Sequence, residues 1–116
     1  MLPAALRQPV GMRRLAILLA LVAASAASAA DGPAPARRAE LLHLVRQDCG
    51  SCHGLTLKGG LGPSLEPAAL AEKDAEQMSF VILRGRRGTP MPPWGAFLSE
   101  PEARWIVEQL KKGLPE

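Results

Sequence analysis

The chain has 116 residues, the length of a single domain. It carries 14 basic and 11 acidic residues, but three of the basic ones lie in residues 1–30, where there is no acidic residue. Residues 31–116 are therefore neutral overall, so bulk charge does not support nucleic acid binding and we expect no nucleic acid partner.

Residues 1–30 have the pattern of an export signal. Arg13 and Arg14 precede an apolar run at residues 15–22, and residues 27–30 are the small side chains that signal peptidase requires. This pattern predicts export to the periplasm.

A retained membrane anchor is the alternative to cleavage. The apolar or small stretch, residues 15–30, is shorter than the roughly 20 residues that a spanning helix needs. We therefore expect cleavage after Ala29 or Ala30, and contact with the membrane only if the signal is retained. Met12 has the features of a natural start, which would make residues 1–11 an extension.

The segment that follows the signal is short and poor in aromatic residues. Residues 31–36 form a Pro/Ala-rich flexible lead, and residues 37–116 form the predicted domain. A chain of this size buries little apolar surface and often needs a cofactor or another staple. We therefore expect a large apolar cofactor to complete the core.

The first predicted helix covers residues 37–48. Leu41, Leu44 and Val45 recur at helical spacing and form one apolar face. This helix runs directly into Cys49.

Residues 49–53 read Cys-Gly-Ser-Cys-His, a C-x-x-C-H motif that is typical of covalent c-type haem attachment. Cys49 and Cys52 can form thioethers with the haem vinyl groups, and His53 then lies under the iron as its proximal ligand. These are the only two cysteines, so we expect one haem c per chain.

The alternatives to haem attachment are a redox dithiol, a zinc site and a chance occurrence of the motif. Zinc requires further ligands and usually a second cysteine pair, and a thioredoxin-like dithiol is expected in a βαβ setting. A disulfide would leave His53 without a role. Haem attachment is the favoured interpretation.

The middle of the chain predicts a loop and two helices. Glycine and proline make residues 54–67 an ordered loop, and residues 67–73 can form a short helix that starts with proline. A clearer helix begins at Asp74, where Gln77 would complete a capping box, and stops at Gly85.

The end of the chain predicts a proline-stiffened loop and a final helix. Residues 86–95 cannot be helical because of their prolines. Ser99 and Glu102 form a capping box at the start of the last helix, and Gly113 ends it. No alternating β pattern occurs, so the predicted fold is all-α, with three to four short helices and loops around one haem.

Three side chains compete for the sixth position on the iron. Met78 lies among apolar helix positions and is expected to be a core residue, and His43 lies on the incoming helix, on the attachment side. Met91 is held between Pro90 and Pro92, where a stiff loop can present its thioether with little loss of entropy. Met91 is therefore predicted to be the distal ligand. The alternative is that its side chain only fills apolar space as a hydrophobic plug.

The arrangement resembles a class I cytochrome c. It is most similar to the small periplasmic cytochromes c encoded beside the dissimilatory nitrite reductase of denitrifying bacteria, and the similarity covers about residues 38–114. The segments that carry it are residues 49–54, 57–65, 84–94 and 98–107.

The resemblance implies a role for each matching residue. Cys49 and Cys52 would hold the haem, His53 would be the proximal ligand and Met91 the distal one. The Pro63 carbonyl would accept a hydrogen bond from the second imidazole nitrogen, which fixes the tautomer.

The resemblance also bears on the two tryptophans. Trp94 would pack near the haem, with packing alone as its alternative role, and Trp105 would dock the last helix on the first. The chain has no tyrosine, so no tyrosine contact to a haem propionate can be carried over.

The function implied is single-electron transfer and not catalysis, because His and Met together saturate the iron. The expected partner is a nitrite reductase or another redox protein, and the expected state is a monomer. A maturation factor that supplies electrons for the reductase's d-type haem is the alternative, and an enzyme or gas sensor with open iron is a third hypothesis. Arg84, Arg86 and Arg87 are expected either to steer an acidic partner or to form an ordinary solvated turn.

Overall fold

The computed structural model describes residues 32–115, and the predicted signal in residues 1–30 lies outside them. Helices and loops make up the described residues, which contain no strand. The prediction of an all-α fold is therefore confirmed. None of the described helices has both the length and the apolar character needed to cross a membrane.

The first helical stretch is longer than predicted. Helix α1 (Pro35–Leu44) begins with proline in its first turn and continues through a π-helical turn (Val45–Cys49, the π-turn) into the short helix α2 (Gly50–His53). The predicted end at residue 48 is wrong because the backbone hydrogen bonds continue: the Gly50 N–H donates to the Val45 carbonyl. The haem motif thus lies on a helix.

The loop that follows is ordered by hydrogen bonds to the motif. The Gly59 N–H donates to the His53 carbonyl, and the Gly62 N–H donates to the Cys52 carbonyl, both at 2.8 Å. Gly54 turns the chain back at φ +90°, where a Cβ atom would lie 2.6 Å from the Gly59 carbonyl oxygen. This close approach requires glycine and holds the loop beneath α2.

The remaining helices begin and end close to the predicted residues. Helix α3 (Pro67–Leu70) is one turn long, and helix α4 (Ala75–Arg84) follows its N-cap Asp74, whose carboxylate accepts the Gln77 N–H at 2.7 Å. Only this half of the capping box predicted for Asp74 and Gln77 is formed at the start of α4. Helix α5 (Glu100–Lys112) has both hydrogen bonds of the predicted capping box and ends at Gly113.

The protein core is small and centred on α5. Ile106 and Leu110 of α5 pack with Leu41 of α1, Val45 of the π-turn and Leu70 of α3. These side chains are at most 3% exposed. The helices are therefore assembled around one face of α5.

An ion-paired network joins the starts of α1 and α5. Arg37 Nε donates to Glu102 Oε1 at 2.6 Å, and the same guanidinium reaches Glu40 and the Phe97 carbonyl. The second Glu102 oxygen accepts the Ser99 N–H at 2.9 Å. The hydrogen bond from Arg37, together with that from the Ser99 backbone, holds the pKa of Glu102 below its ordinary value.

We predict that Glu102→Gln lowers the stability of the holoprotein by less than about 1 kcal/mol at neutral pH. Because the pKa of Glu102 is depressed in the folded state, its stabilisation is present above the usual carboxyl pKa of about 4.3 and is lost as the pH falls through the lowered value. Chemical unfolding of both proteins between about pH 3 and pH 7 measures the difference between their free energies of unfolding. This difference should shrink at the acid end.

The control is Glu108→Gln, on an exposed position of the same helix. It removes one carboxylate from α5 without touching the network of Arg37 and Ser99. A Glu102→Gln difference that persists unchanged at the acid end would contradict the prediction.

Candidate haem site

One side of the domain contains an open cavity of about 970 Å³. Its walls come from α2, the loop after it, α4, the proline loop and α5, and they are mostly apolar. The residues predicted for the site all line it: Cys49, Cys52, His53, Pro63, Met91 and Trp94. The structure therefore brings together side chains that are up to 45 positions apart in the sequence.

The orientation of His53 is fixed by a backbone carbonyl. Its Nδ1 atom lies 2.7 Å from the Pro63 carbonyl oxygen. Because a carbonyl only accepts hydrogen bonds, Nδ1 carries the proton and Nε2 keeps the lone pair that can bind a metal. The imidazole is thus held in the tautomer that iron ligation requires.

Gly62 packs closely against the imidazole ring of His53. A Cβ atom at position 62 would be 2.7 Å from both Cε1 and Nδ1 of His53 and 3.1 Å from Nε2. No side chain other than hydrogen fits at that distance. Gly62 and Pro63 therefore fix the ring together, one by shape and the other by hydrogen bonding.

Before haem is attached, the two cysteines are thiols at the cavity wall. Burial, reinforced by the negative charge of Asp48, raises the pKa of the Cys49 thiol to about 11. A thiol with a raised pKa is a poor thiolate for dithiol exchange or zinc binding. Among residues 32–115, no three His, Cys, Asp or Glu side chains are grouped to hold a metal ion. The zinc alternative has no ligand set there.

Met91 enters the cavity from a loop that is stiffened on both sides. Pro90, Pro92 and Pro93 flank it, and its side chain is half-buried. The Met91 carbonyl accepts the Arg86 N–H at 3.3 Å, and the Met91 N–H donates to Thr89 Oγ1 at 3.4 Å. Both backbone polar groups of Met91, the N–H and the carbonyl, are therefore hydrogen-bonded.

The structure separates the competing residues by position. Met78 packs against the core and also lines the cavity, whereas His43 is exposed on α1 and is not among the lining residues. Trp94 lines the cavity and packs against Phe97, with ring centroids 6.0 Å apart. Trp105 packs against the core, away from the cavity lining.

The three arginines before Met91 are all exposed, but only two of them line the cavity. Arg86 and Arg87 line the cavity, whereas Arg84, the last residue of α4, does not. Two cations thus lie where the proline loop meets the opening.

Sequence reasoning missed several residues that shape the cavity. Leu61 and Phe80 line it although they are 75% and 58% exposed, and Gly62 supports the His53 ring. Gly85 was expected only to end a helix, yet it also contacts the Met91 loop. The only sequence signal for the two glycines is their place beside Pro63 and at the end of α4.

The cavity suits a haem c by volume and by donor chemistry. Its volume is at the upper end of the roughly 300–1,000 Å³ that ligand pockets occupy. Two thiols, one imidazole of fixed tautomer and one thioether face it. Residues 36–109 match the protein family described as cytochrome C oxidase, cbb3-type, subunit III.

The chain belongs to this c-type cytochrome family. It carries one covalently bound haem c, at its single C-x-x-C-H motif. Membership also makes it an electron-transfer protein.

Known proteins agree with this assignment. The chain is 55% identical over 101 residues to cytochrome c55X of Paracoccus denitrificans, which spans 87% of this chain and 96% of that protein. A solved structure titled c-type cytochrome NirC superposes with a TM-score of 0.69 at 52% identity and covers 71% of this chain and 96% of that one. The predicted resemblance to a small class I cytochrome c is thereby confirmed.

A third match is to part of a larger protein. The structure titled dihydro-heme d1 dehydrogenase NirN in complex with DHE gives a TM-score of 0.57 at 36% identity. The match covers 64% of this cytochrome but only 16% of that chain. The likeness is therefore to one portion of that dehydrogenase.

We predict that Gly62→Ala displaces the His53 ring and disturbs the haem. The added methyl would lie 2.7 Å from the imidazole, far inside van der Waals contact. The purified variant should contain less haem per chain, and its ferric spectrum should show a larger high-spin fraction than that of the wild type. Optical and electron paramagnetic resonance spectra measure both.

Gly50→Ala is the matched control for this variant. It lies inside the haem motif, but its Cβ would lie at an ordinary contact distance of 3.5 Å or more. It should keep a wild-type spectrum. Equal spectra for the two variants would show that Gly62 does not position the ring.

Proposed function

We propose that this cytochrome carries single electrons in the periplasm, and that His53 and Met91 are the two side chains that would bind its haem iron. The observation that carries the proposal is the placement of both side chains at one cavity, from segments 38 residues apart. The hydrogen bond from His53 Nδ1 to the Pro63 carbonyl supports the proximal assignment. We also propose that residues 1–30 are the cleaved export signal and residues 37–116 the cytochrome domain.

Haem c with one imidazole and one thioether ligand supplies a reversible one-electron iron couple, and the thioether raises its potential. The chain's own residues hold that couple in place. The Pro63 carbonyl makes the His53 imidazole a stronger donor, and the prolines around Met91 limit the movement of its thioether. The cavity walls around both ligands are mostly apolar.

Two protein ligands leave the iron no open position for a substrate. This is the basis for proposing a carrier in place of an enzyme or a gas sensor. Cys49 and Cys52 attach the haem as thioethers, and Trp94 packs at its edge in this proposal.

We predict that Met91→Leu opens the iron. Leucine keeps a similar volume but offers no sulfur. The ferrous variant should bind carbon monoxide readily at neutral pH, and the ferric variant should lose the weak red absorption band that a thioether ligand produces. Its reduction potential should fall by on the order of 0.1 V.

Met78→Leu is the matched control, because Met78 lines the same cavity from α4. That variant should keep the band and resist carbon monoxide as the wild type does. Loss of the band in Met78→Leu but not in Met91→Leu would assign the distal position to Met78 and refute the proposal.

We infer that the redox partner is a dissimilatory nitrite reductase. The inference rests on the resemblance of residues 57–65 and 84–94 to the cytochromes encoded beside that enzyme, and on the likeness to the solved cytochrome titled NirC. The exposed Arg86 and Arg87 at the cavity opening would attract an acidic partner surface.

We predict that deletion of the gene slows nitrite reduction by intact cells, while the reductase purified from them contains its normal d-type haem. The reason is that a missing donor limits turnover and leaves the enzyme complete. The full chain should restore the rate, and residues 31–116 without the signal should not. A purified reductase that lacks d-type haem would instead assign this cytochrome to maturation.

A further inference from the structure

Helix α4 ends at a glycine that is pressed against the Met91 loop. Gly85 has φ +71° and ψ −178°, a backbone region that is essentially restricted to glycine. A Cβ atom there would lie 2.9 Å from the Met91 carbonyl oxygen and 2.9 Å from the Pro93 nitrogen. The backbone of residues 91–93 thus packs directly against the Cα atom of Gly85.

The same loop is tied to the last carbonyls of α4. The Trp94 N–H donates to the Ile82 carbonyl at 2.9 Å, and the Gly95 N–H donates to the Leu83 carbonyl at 3.1 Å. Carbonyls at a helix end have no partner within the helix. The loop after Met91 satisfies two of them, so the loop and the end of α4 form one unit.

The prolines leave few other ways to fasten this loop. Pro90, Pro92 and Pro93 have no N–H to donate. The hydrogen bonds of Trp94 and Gly95 hold the loop to the end of α4, and the one between the Arg86 N–H and the Met91 carbonyl closes the loop on itself. Gly85 lies between these attachments. Its size therefore sets how closely the Met91 backbone approaches the helix.

We propose that Gly85 is a positioning residue for the distal ligand: its missing side chain sets the depth at which the Met91 thioether enters the cavity. This rests on the proposed ligation by Met91. A side chain at position 85 would push the Met91 and Pro93 backbone outward, because the atoms it meets are backbone and not the ends of flexible side chains.

The test compares Gly85→Ala with alanine variants of two other glycines that also have a positive φ. Gly113 ends α5 at φ +90°, and its Cβ would meet only Pro67 Cγ at 3.6 Å. Gly88 lies in the same loop at φ +75°, and its Cβ would meet nothing within 4 Å. Both controls share the positive φ and lack the clash with the Met91 loop.

Two measurements on the purified holoproteins report the iron–sulfur bond directly. One is the pH at which the ferric protein loses its red thioether band, and the other is the affinity of ferric iron for added imidazole. Gly85→Ala should lower that pH by about one unit and raise imidazole affinity about tenfold, since the displaced loop gives up its ligand more easily. Gly113→Ala and Gly88→Ala should stay close to the wild type in both.

A second variant covers the case in which Gly85→Ala does not fold. Gly95 has no positive φ, and its Cβ would lie 3.0 Å from the Leu83 carbonyl oxygen, at the other attachment of the loop. Gly95→Ala should shift both measurements in the same direction by a smaller amount.

The outcomes separate the two proposals. A wild-type protein without the red band would overturn ligation by Met91, and the role of Gly85 with it. A wild-type protein that has the band would overturn the role of Gly85 alone if Gly85→Ala is indistinguishable from Gly113→Ala. Where Gly85→Ala does not fold, the same conclusion follows if Gly95→Ala is indistinguishable from Gly113→Ala.

Discussion

The wall of the haem cavity and the core of the protein share four buried side chains. Leu70, Leu98, Ile106 and Leu110 are at most 5% exposed, and each of them also lines the cavity. A domain this small has little other apolar surface to bury. Packing against the cofactor is therefore continuous with packing between helices, and a change that loosens one loosens the other. Phe80 lines the cavity and is 58% exposed, so part of its apolar surface is available to pack against the haem.

A glycine packs against each of the two proposed iron ligands, His53 and Met91. A Cβ atom at Gly62 would strike the His53 ring, and one at Gly85 would strike the backbone of Met91. Each ligand also has a hydrogen bond that fixes its segment, from His53 to the Pro63 carbonyl and from the Arg86 N–H to the Met91 carbonyl. Shape and hydrogen bonding thus constrain the same two segments, which suits a carrier whose ligands must not move between two oxidation states.

Local patterns in the sequence were sufficient for the haem motif and for the ends of the later helices. The Ser99–Glu102 capping box and the Gly113 stop are properties of a few neighbouring residues, and the structure has both. The roles of Gly62 and Gly85 could not be predicted in this way, because each depends on a segment that approaches through space. The continuation of the first helix past residue 48 was not predicted either, because it depends on the hydrogen bond from the Gly50 N–H to the Val45 carbonyl in the π-turn.

The π-turn explains how one helical stretch serves two purposes. In an uninterrupted α-helix, Leu41, Val45, Cys49 and Cys52 would lie on one stripe, because residues four and three apart share a face. The structure buries Leu41 and Val45 in the core and places both cysteines at the cavity wall. The wider turn between Val45 and Cys49 rotates the following residues relative to the preceding ones. The wider turn thereby rotates α2, which carries Cys52, relative to the packing face of α1, while Cys49, at the end of the π-turn, both packs against the core and lines the cavity.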